Sequence, residues 1–526
     1  MKNPFSFLVS LVLPMVVALL TWGGSSELAA QGQKLGHAAQ HKDMNLVGLN
    51  DLQARSAYQP IIHEQNGRWI AYVGHHGGSA LNPQTGVVEP NGTSVVDVTD
   101  PRHPVYLKHI PGGSGVGEAG GAQMVRACTG NELPGPAADD NKHFILRATS
   151  NSHEVYDVSN PSNPILVKTV VANLGDTHKS YWECDTGIAY LVSDGTSLAT
   201  ADPPFPAWRA ERMTQIFNLS DPLNPVFIRN WGVIGQEPGS TGPIPQDVHG
   251  PISIGPNGIK GVTNRVYFGH GTGSNGILQI VNRLRLLDPA ANGCSPSANF
   301  RTNPTEEDLL CPQLGRLDTS PTMGAHTTFP LLRQPVPELA AQLQNSVRDF
   351  VILVNEAGGG SGAGFCTGNR QLVYFVDVTV PAGNQANPTD PAGNEAKPTI
   401  ISNFQVPEAS GDFCNRGGRF GAHASSENFT PLFYGKLIFV SWFNAGVRAI
   451  DIRDPFSPKE AAYYIPATTA NTDIRCTTIM GQQICNFVIQ TNNVEVDERG
   501  LIYIVDRANT GLHILELTGD ARKIIE

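Results

Sequence analysis

Four histidines recur at one position of a repeating pattern, and their spacing is the first sign of chemistry in this chain. Aligning seven strand-like segments at their starts gives Gln59 (after Ala57-Tyr58), Gln123 (after Gly121-Ala122), His178 (after Asp176-Thr177) and His249 (after Asp247-Val248). The series continues with His326 (after Gly324-Ala325), His423 (after Gly421-Ala422) and Asn493. A second polar set falls at the ends of the segments that follow: His75-His76, Thr149, Ser193-Asp194, His270, Asn355-Glu356, Trp442 and Asp506-Arg507. If the first strand of each unit runs away from one face and the second runs back, both sets meet on that face. Neutral imidazoles converging with carboxylates suit Zn, Cu, Fe or Ni, and a carboxylate behind an imidazole orients its ring. The candidate metal ligands are therefore His178, His249, His326 and His423, joined by His270 and His75. Gln59, Gln123, Asn493, Trp442 and Arg507 are candidate substrate contacts. No catalytic residue is assigned; Glu183, Glu356 and Asp194 are the candidates for a base. A one-residue slip in the alignment would turn these side chains to the other face, because strand faces alternate.

The plainer reading of each histidine is a hydrogen-bonded channel residue, inherited by duplication. Against it stands the restriction of histidine to four consecutive units. His103, His109, His143, His153 and His513 fall elsewhere in the repeat and read as structural or exposed, and His63 lies past the ring position. His37 and His41 occupy a polar N-terminal stretch. Gly113-Ser114-Gly115 and Gly358-Gly359-Gly360-Ser361-Gly362 are Gly-rich, but neither leads from a strand into a helix with a lysine, so neither is a phosphate loop. The second reads as a mobile loop over the rim. No Gly-x-Ser-x-Gly elbow follows a plausible strand. Arg507 either clamps an anion or pairs with its neighbour Asp506, and the pairing is preferred.

The elements that position these residues are set by a repeat. An apolar strand ends in Asp or Asn, and Asp-Pro or Asn-Pro follows: Val95-Val96-Asp97-Val98-Thr99-Asp100-Pro101, Val155-Tyr156-Asp157-Val158-Ser159-Asn160-Pro161 and Ile216-Phe217-Asn218-Leu219-Ser220-Asp221-Pro222. Further copies are Phe375-Val376-Asp377-Val378 and Ala449-Ile450-Asp451-Ile452-Arg453-Asp454-Pro455, with weaker ones at Leu278-Val281 and Leu512-Leu517. The prolines at 101, 161 and 222 fall 60 and 61 residues apart, and such a period marks a repeat array. Four short, turn-bounded strands per unit describe a propeller blade. The fold class is all-β, a seven-bladed β-propeller whose units begin near residues 59, 123, 178, 249, 326, 423 and 493. The last unit lacks an outer strand, and Met44–Leu49 reads as that strand, closing the ring and removing an exposed edge. The domain reading is a signal peptide over 1–30, a flexible stretch over 31–43, the propeller over 44–518 with loop insertions 287–324 and 379–398, and a tail over 519–526.

The apolar-Asp-apolar-x-Asp-Pro motif resembles that of the LVIVD-repeat family of exported propellers, over roughly residues 44–518. The resemblance implies the fold and no chemistry. The histidine-lined face is more loosely similar, in architecture, to copper-bearing propeller enzymes such as selenium-binding proteins with methanethiol oxidase activity and nitrous oxide reductase. That likeness implies copper and oxidoreductase chemistry.

Composition agrees with this. Gly 55 and Pro 39 together make about 18 % of 526 residues, against about 12 % on average, and charged residues are only 16 %. Such a chain is rich in turns and poor in the residues of long helices. The formal charge of −11 excludes a sequence-independent grip on nucleic acid, which needs a cationic surplus. Lys2, the apolar run Phe7–Trp22 and small residues to Ala29-Ala30 fit a secretory signal. No second apolar stretch would span a membrane. The eight cysteines, even in number, fit disulfides in an exported protein. Cys294–Cys311 and Cys476–Cys485 are the preferred pairs, being closest in the chain. The combined expectation is a periplasmic or extracellular propeller with a His-rich metal site, copper preferred, acting as an oxidoreductase on a small molecule. The alternatives are a non-catalytic module that binds a ligand or a protein partner, and a metal-independent hydrolase or lyase.

Overall fold

The computed structural model describes residues 33–336, 347–356 and 372–526, apart from 137, 140, 387, 389, 411, 412 and 480. The expected signal peptide and the Gly358–Gly362 loop lie outside the described residues.

The motif that punctuates the sequence is a pair of Asx turns. In five blades the Asp or Asn closing the third strand accepts a backbone N–H two residues on: Thr99 to Asp97 at 2.9 Å, Ser159 to Asp157 at 2.9 Å, Ser220 to Asn218 at 2.8 Å, Thr379 to Asp377 at 2.9 Å and Arg453 to Asp451 at 3.1 Å. In four of the five the Asp or Asn before the proline repeats the device, as with Arg102 to Asp100 at 3.0 Å and Phe456 to Asp454 at 3.1 Å. Short acceptor side chains bonding their own backbone two residues on make such turns. The motif is therefore occupied by turning the chain between the third and fourth strands, well away from any chemistry.

Between the turns run antiparallel strands that form seven blades. The first is Ala57–Gln65, Arg68–Gly77, Gly92–Asp97 and Val105–Pro111; the second is Met124–Thr129, His143–Ala148, His153–Asp157 and Ile165–Val171. The fourth is Val248–Ser253, Arg265–His270, Ile277–Asn282 and Gln313–Asp318. Second strands such as His143–Ala148, Ile188–Ser193 and Arg265–His270 are buried at every position, because both blade faces pack on neighbouring blades. Outer strands such as Ile165–Val171 are exposed or half-buried except at their last two residues. In the last blade Met44–Asn50 pairs antiparallel with Leu512–Leu517, so the ring closes with both ends of the chain in one sheet.

Several segments are more ordered than the sequence reading proposes. Gln40–Lys42, from the stretch read as flexible, pairs with Lys459–Ile465 at the outer edge of the sixth blade. The same stretch is tied by the side chain of Gln33, which accepts the Ile489 N–H at 3.1 Å. The insertion 287–324 contains the fourth strand of its blade, Gln313–Asp318. That strand was obscured because helical turns and a disulfide separate it from the third. The excursion 379–398 is pinned from inside: the fully buried Arg265 binds Glu395 at 2.7 Å and the carbonyls of Asn384 and Gln385. The tail 519–526 is a helix, Gly519–Ile525, that buries Ala521 and Ile525. Three disulfides join described cysteines: Cys294–Cys311 and Cys476–Cys485, as paired above, and Cys128–Cys184. No helix among the described residues is long and apolar enough to cross a membrane.

Candidate functional site

Each of three ring histidines is hung from the second strand of its own blade. The backbone N–H groups of His178, His326 and His423 donate to the carbonyls of Val192 (3.1 Å), Val354 (2.9 Å) and Ser441 (3.0 Å). In three further blades a bulge does the aiming. Register shifts fall between Ala57 and Pro60, Val248 and Gly250, and Thr491 and Val494. They extrude Tyr58-Gln59, His249 and Asn492-Asn493. Bulges re-aim side chains in this way beside functional sites.

The four histidines form a continuous array. Ring centroids are 4.3 Å apart for His178–His249, 3.6 Å for His249–His326 and 4.5 Å for His326–His423. The Nε2 atoms of His178 and His249 lie 2.8 Å apart, so one carries the proton and donates to the other. Tyr58 adds its hydroxyl 3.2 Å from His178 Nε2. Over the array stands Glu356: Oε2 is 3.8 Å from Nε2 of both His249 and His326, and Oε1 is 3.8 Å from Nε2 of His423. Arg419 donates to Glu356 at 3.0 Å. His178, His249, His423, Tyr58, Glu356 and Arg419 line a cavity of about 160 Å³ together with Glu118, Arg212 and Thr272.

Burial, and then the neighbouring cations and imidazoles, hold all four histidines well below their usual pKa. They are neutral at pH 7, the form that ligates metal. Burial also raises the Glu356 carboxyl, against the opposing pull of Arg419. The ligand atoms of His249, His326 and Glu356 all lie within 4.8 Å of one another. Ligands held at about 2.1 Å from one ion stand about 3.4 Å apart, so small side-chain movements would bring the set onto a single ion. His326 Nε2 and the Nδ1 atoms of His178 and His249 are buried without a hydrogen-bond partner. Buried polar nitrogens are seldom left so, and the donor set fits a transition metal.

Other candidates fall elsewhere. His75 bonds Ser94 Oγ at 2.7 Å inside the first blade, and its neighbour His76 faces the rim instead. His270 pairs with Val248 across the sheet. Cross-strand partners share a face, so it packs within the sheet while the bulged His249 turns to the channel. Trp442 is fully buried in a hydrophobic cluster against Phe404. Glu183 is saturated by Arg283, Tyr190, Ser253 and Thr186, an ion pair between blades, and Asp194 caps its own turn through Thr196. Gln59 accepts from Asn493, and Gln123 donates to the Glu118 carbonyl at 2.8 Å. Arg507 pairs with Glu118 at 2.7 Å, whereas Asp506 accepts the Gln490 N–H at 2.8 Å; the pairing preferred from sequence does not form. Sequence reading missed Tyr58, Glu118, Arg212 and Arg419. Tyr58 stands one place before the aligned position, displaced by the bulge, and the others sit outside the aligned positions.

The class these observations define is a seven-bladed propeller whose channel mouth is an array of neutral imidazoles under one carboxylate. The β-propeller domain of Myceliophteria thermophila Cps50 (Swd1) is similar over 90 % of this chain and 100 % of its own, at 9 % identity and a TM-score of 0.43. Sqt1 of Saccharomyces cerevisiae is similar over 90 % of this chain and 99 % of its own, at 8 % identity and a TM-score of 0.42. No protein-family model matches the chain and no curated protein does. The likeness to LVIVD-repeat proteins thus rests on the repeated motif, and no match supports the likeness to copper-bearing propellers.

Proposed function

We propose that this is an exported propeller that binds a transition metal, copper by preference, through His249, His326 and Glu356, and acts as an oxidoreductase on a small molecule. The observation that carries the reading is the convergence of two neutral imidazoles and a carboxylate within 4.8 Å, with His326 Nε2 buried and unpartnered. His178 and His423, in ring contact with the pair, are within reach as further ligands. Copper is preferred because divalent affinity peaks there and imidazole suits it. Bound there, the metal would supply the electron transfer that no side chain of the cavity performs. The chain's own residues do the rest. Arg419 holds Glu356 in place, and the Asn492 carbonyl fixes His423 through Nδ1 at 2.6 Å. Three disulfides among the described residues support export.

The test is the metal content of untagged protein purified from an oxidising compartment. Stoichiometric copper is expected in the wild type, with at least about tenfold weaker binding after His326→Ala or Glu356→Gln at unchanged melting temperature. A protein that carries no transition metal, and binds none added, would refute the proposal and favour the ligand-binding alternative.

A further inference from the structure

Beside the histidine cavity lies a second one of about 270 Å³, lined by His76, Glu118, Arg419, Arg475, Gln490 and Arg507 among others. The two share Glu118 and Arg419. Three guanidinium groups therefore border one small space. Those of Arg419 and Arg507 lie 5.5 and 5.7 Å from the centroid of a single ring, Phe443. Each already faces a carboxylate, Arg419 that of Glu356 at 3.0 Å and Arg507 that of Glu118 at 2.7 Å, the charge-assisted pairing in which a guanidinium recognises a carboxylate. Arg475 contributes a buried Nε–H without a partner. Phe443 is held at φ 31°, an unusual backbone for an aromatic residue and of the kind that clusters at ligand sites. Its ring lies 4.8 Å from His423, which ties the arginines to the imidazole array.

Glu118 is the one carboxylate here whose side chain is about half exposed (47 %), and its Oε1 accepts from Arg507 at 2.7 Å. It belongs to the Gly-rich strand Gly117–Ala122, an addition to the four-stranded blade. Its carboxylate lies where an incoming anion would lie.

We propose that the second cavity is a carboxylate seat for the substrate: Arg507 and Arg419 bind the oxyanion, Arg475 backs them, and Glu118 occupies the seat when no substrate is bound. The substrate is then a small organic acid whose other end reaches across the shared wall to His249, His326 and Glu356. That last clause rests on the proposed metal site; the seat itself does not. Both cavities fall below the usual size for drug-sized ligands, in keeping with a small molecule.

The experiment is calorimetric titration of the full mature protein, stripped of metal, with benzoate, succinate, inorganic phosphate and the neutral benzamide. Benzoate or succinate should bind tighter than about 1 mM and benzamide should not. Arg507→Gln should weaken carboxylate binding roughly tenfold to a hundredfold. Arg507→Lys, which keeps the charge and loses the planar fork, should fall between. Glu118→Gln should strengthen binding several-fold, because it removes the internal competitor. The opposite signs at two contacting residues separate a seat from a folding defect. Carboxylates that bind no tighter than benzamide would overturn the proposal, as would binding indifferent to Arg507→Gln. Phosphate binding tighter than both acids would overturn the assignment to carboxylates. Repeating the titration with copper added separates the two readings: a seat that works in metal-free protein stands even if no metal binds.

Discussion

Glu495 shows how deeply charge is buried on the inner strands. Two residues beyond the ring position of the last blade, it accepts backbone N–H bonds from Glu427, Asn428 and Val496 at 3.0–3.3 Å. Glu427 is itself bound by Lys179 and, at 2.6 Å, by Arg126. Burial opposes the charge on Glu427, but Lys179 and then Arg126 overcome that and hold its pKa low. Glu495 has no such cation of its own: burial, and then the adjacent Glu427, push it up to about 7 from 4.5. Between those values folding takes up a proton. The stability this group contributes is fully present below about pH 4.5 and is lost as pH rises through about 7, by about 3 kcal/mol. Glu495→Gln, which cannot ionise, should leave the melting temperature nearly unchanged at pH 4.5 and raise it at pH 8; thermal melts at the two values check this, and equal shifts at both would refute it. At this scale the sequence was readable where one residue type recurs in register, as with His326 and its three counterparts, and silent where an environment makes the role. Nothing in the sequence marks Glu495 apart from Glu183, which an arginine neutralises.

At the scale of elements, the bulges and the cross-links decide the geometry. The sequence shows four histidines in one register but not the register shifts that extrude Tyr58 and His249, because an extra residue in a strand has no local signature here. The disulfides were legible in part. Short loops could be paired by proximity in sequence, whereas Cys128–Cys184 spans 56 residues and joins the inner strand of the second blade to the third. That pair closes the longer loop and so constrains the unfolded chain more than Cys476–Cys485, which spans 9 residues. The chain-entropy relation gives about 4 kcal/mol for the first and about 2.6 kcal/mol for the second. Replacing Cys128 and Cys184 together by alanine should therefore lower denaturant stability by more than the same change at Cys476 and Cys485. A larger loss at the second pair would contradict the assignment.

For the whole molecule, closure is the controlling feature. Met44–Asn50 covers the free edge of Leu512–Leu517 and buries Met44 completely, while Gln40–Lys42 only adds a short outermost strand to the sixth blade. A chain starting at residue 43 should keep the elution volume of the full protein, with a slightly lower melting temperature. A chain starting at residue 51 leaves a sheet edge unpaired and should aggregate or melt far lower. Size-exclusion chromatography with thermal melts distinguishes them, and equal behaviour of the two truncations would show that the ring does not depend on this strand.

By itself the sequence determined the all-β class, the number of blades, the closing strand and the four-histidine register. All of these follow from local rules: strand period, Asx turns before proline, and repetition. Only the tertiary structure decided that Glu356 stands over three imidazoles, that His75, His270 and Trp442 turn away, and that Glu118, Arg212 and Arg419 complete the mouth. These outcomes depend on bulges and on connecting segments outside the repeat, where chain order carries no information about which side chains will meet.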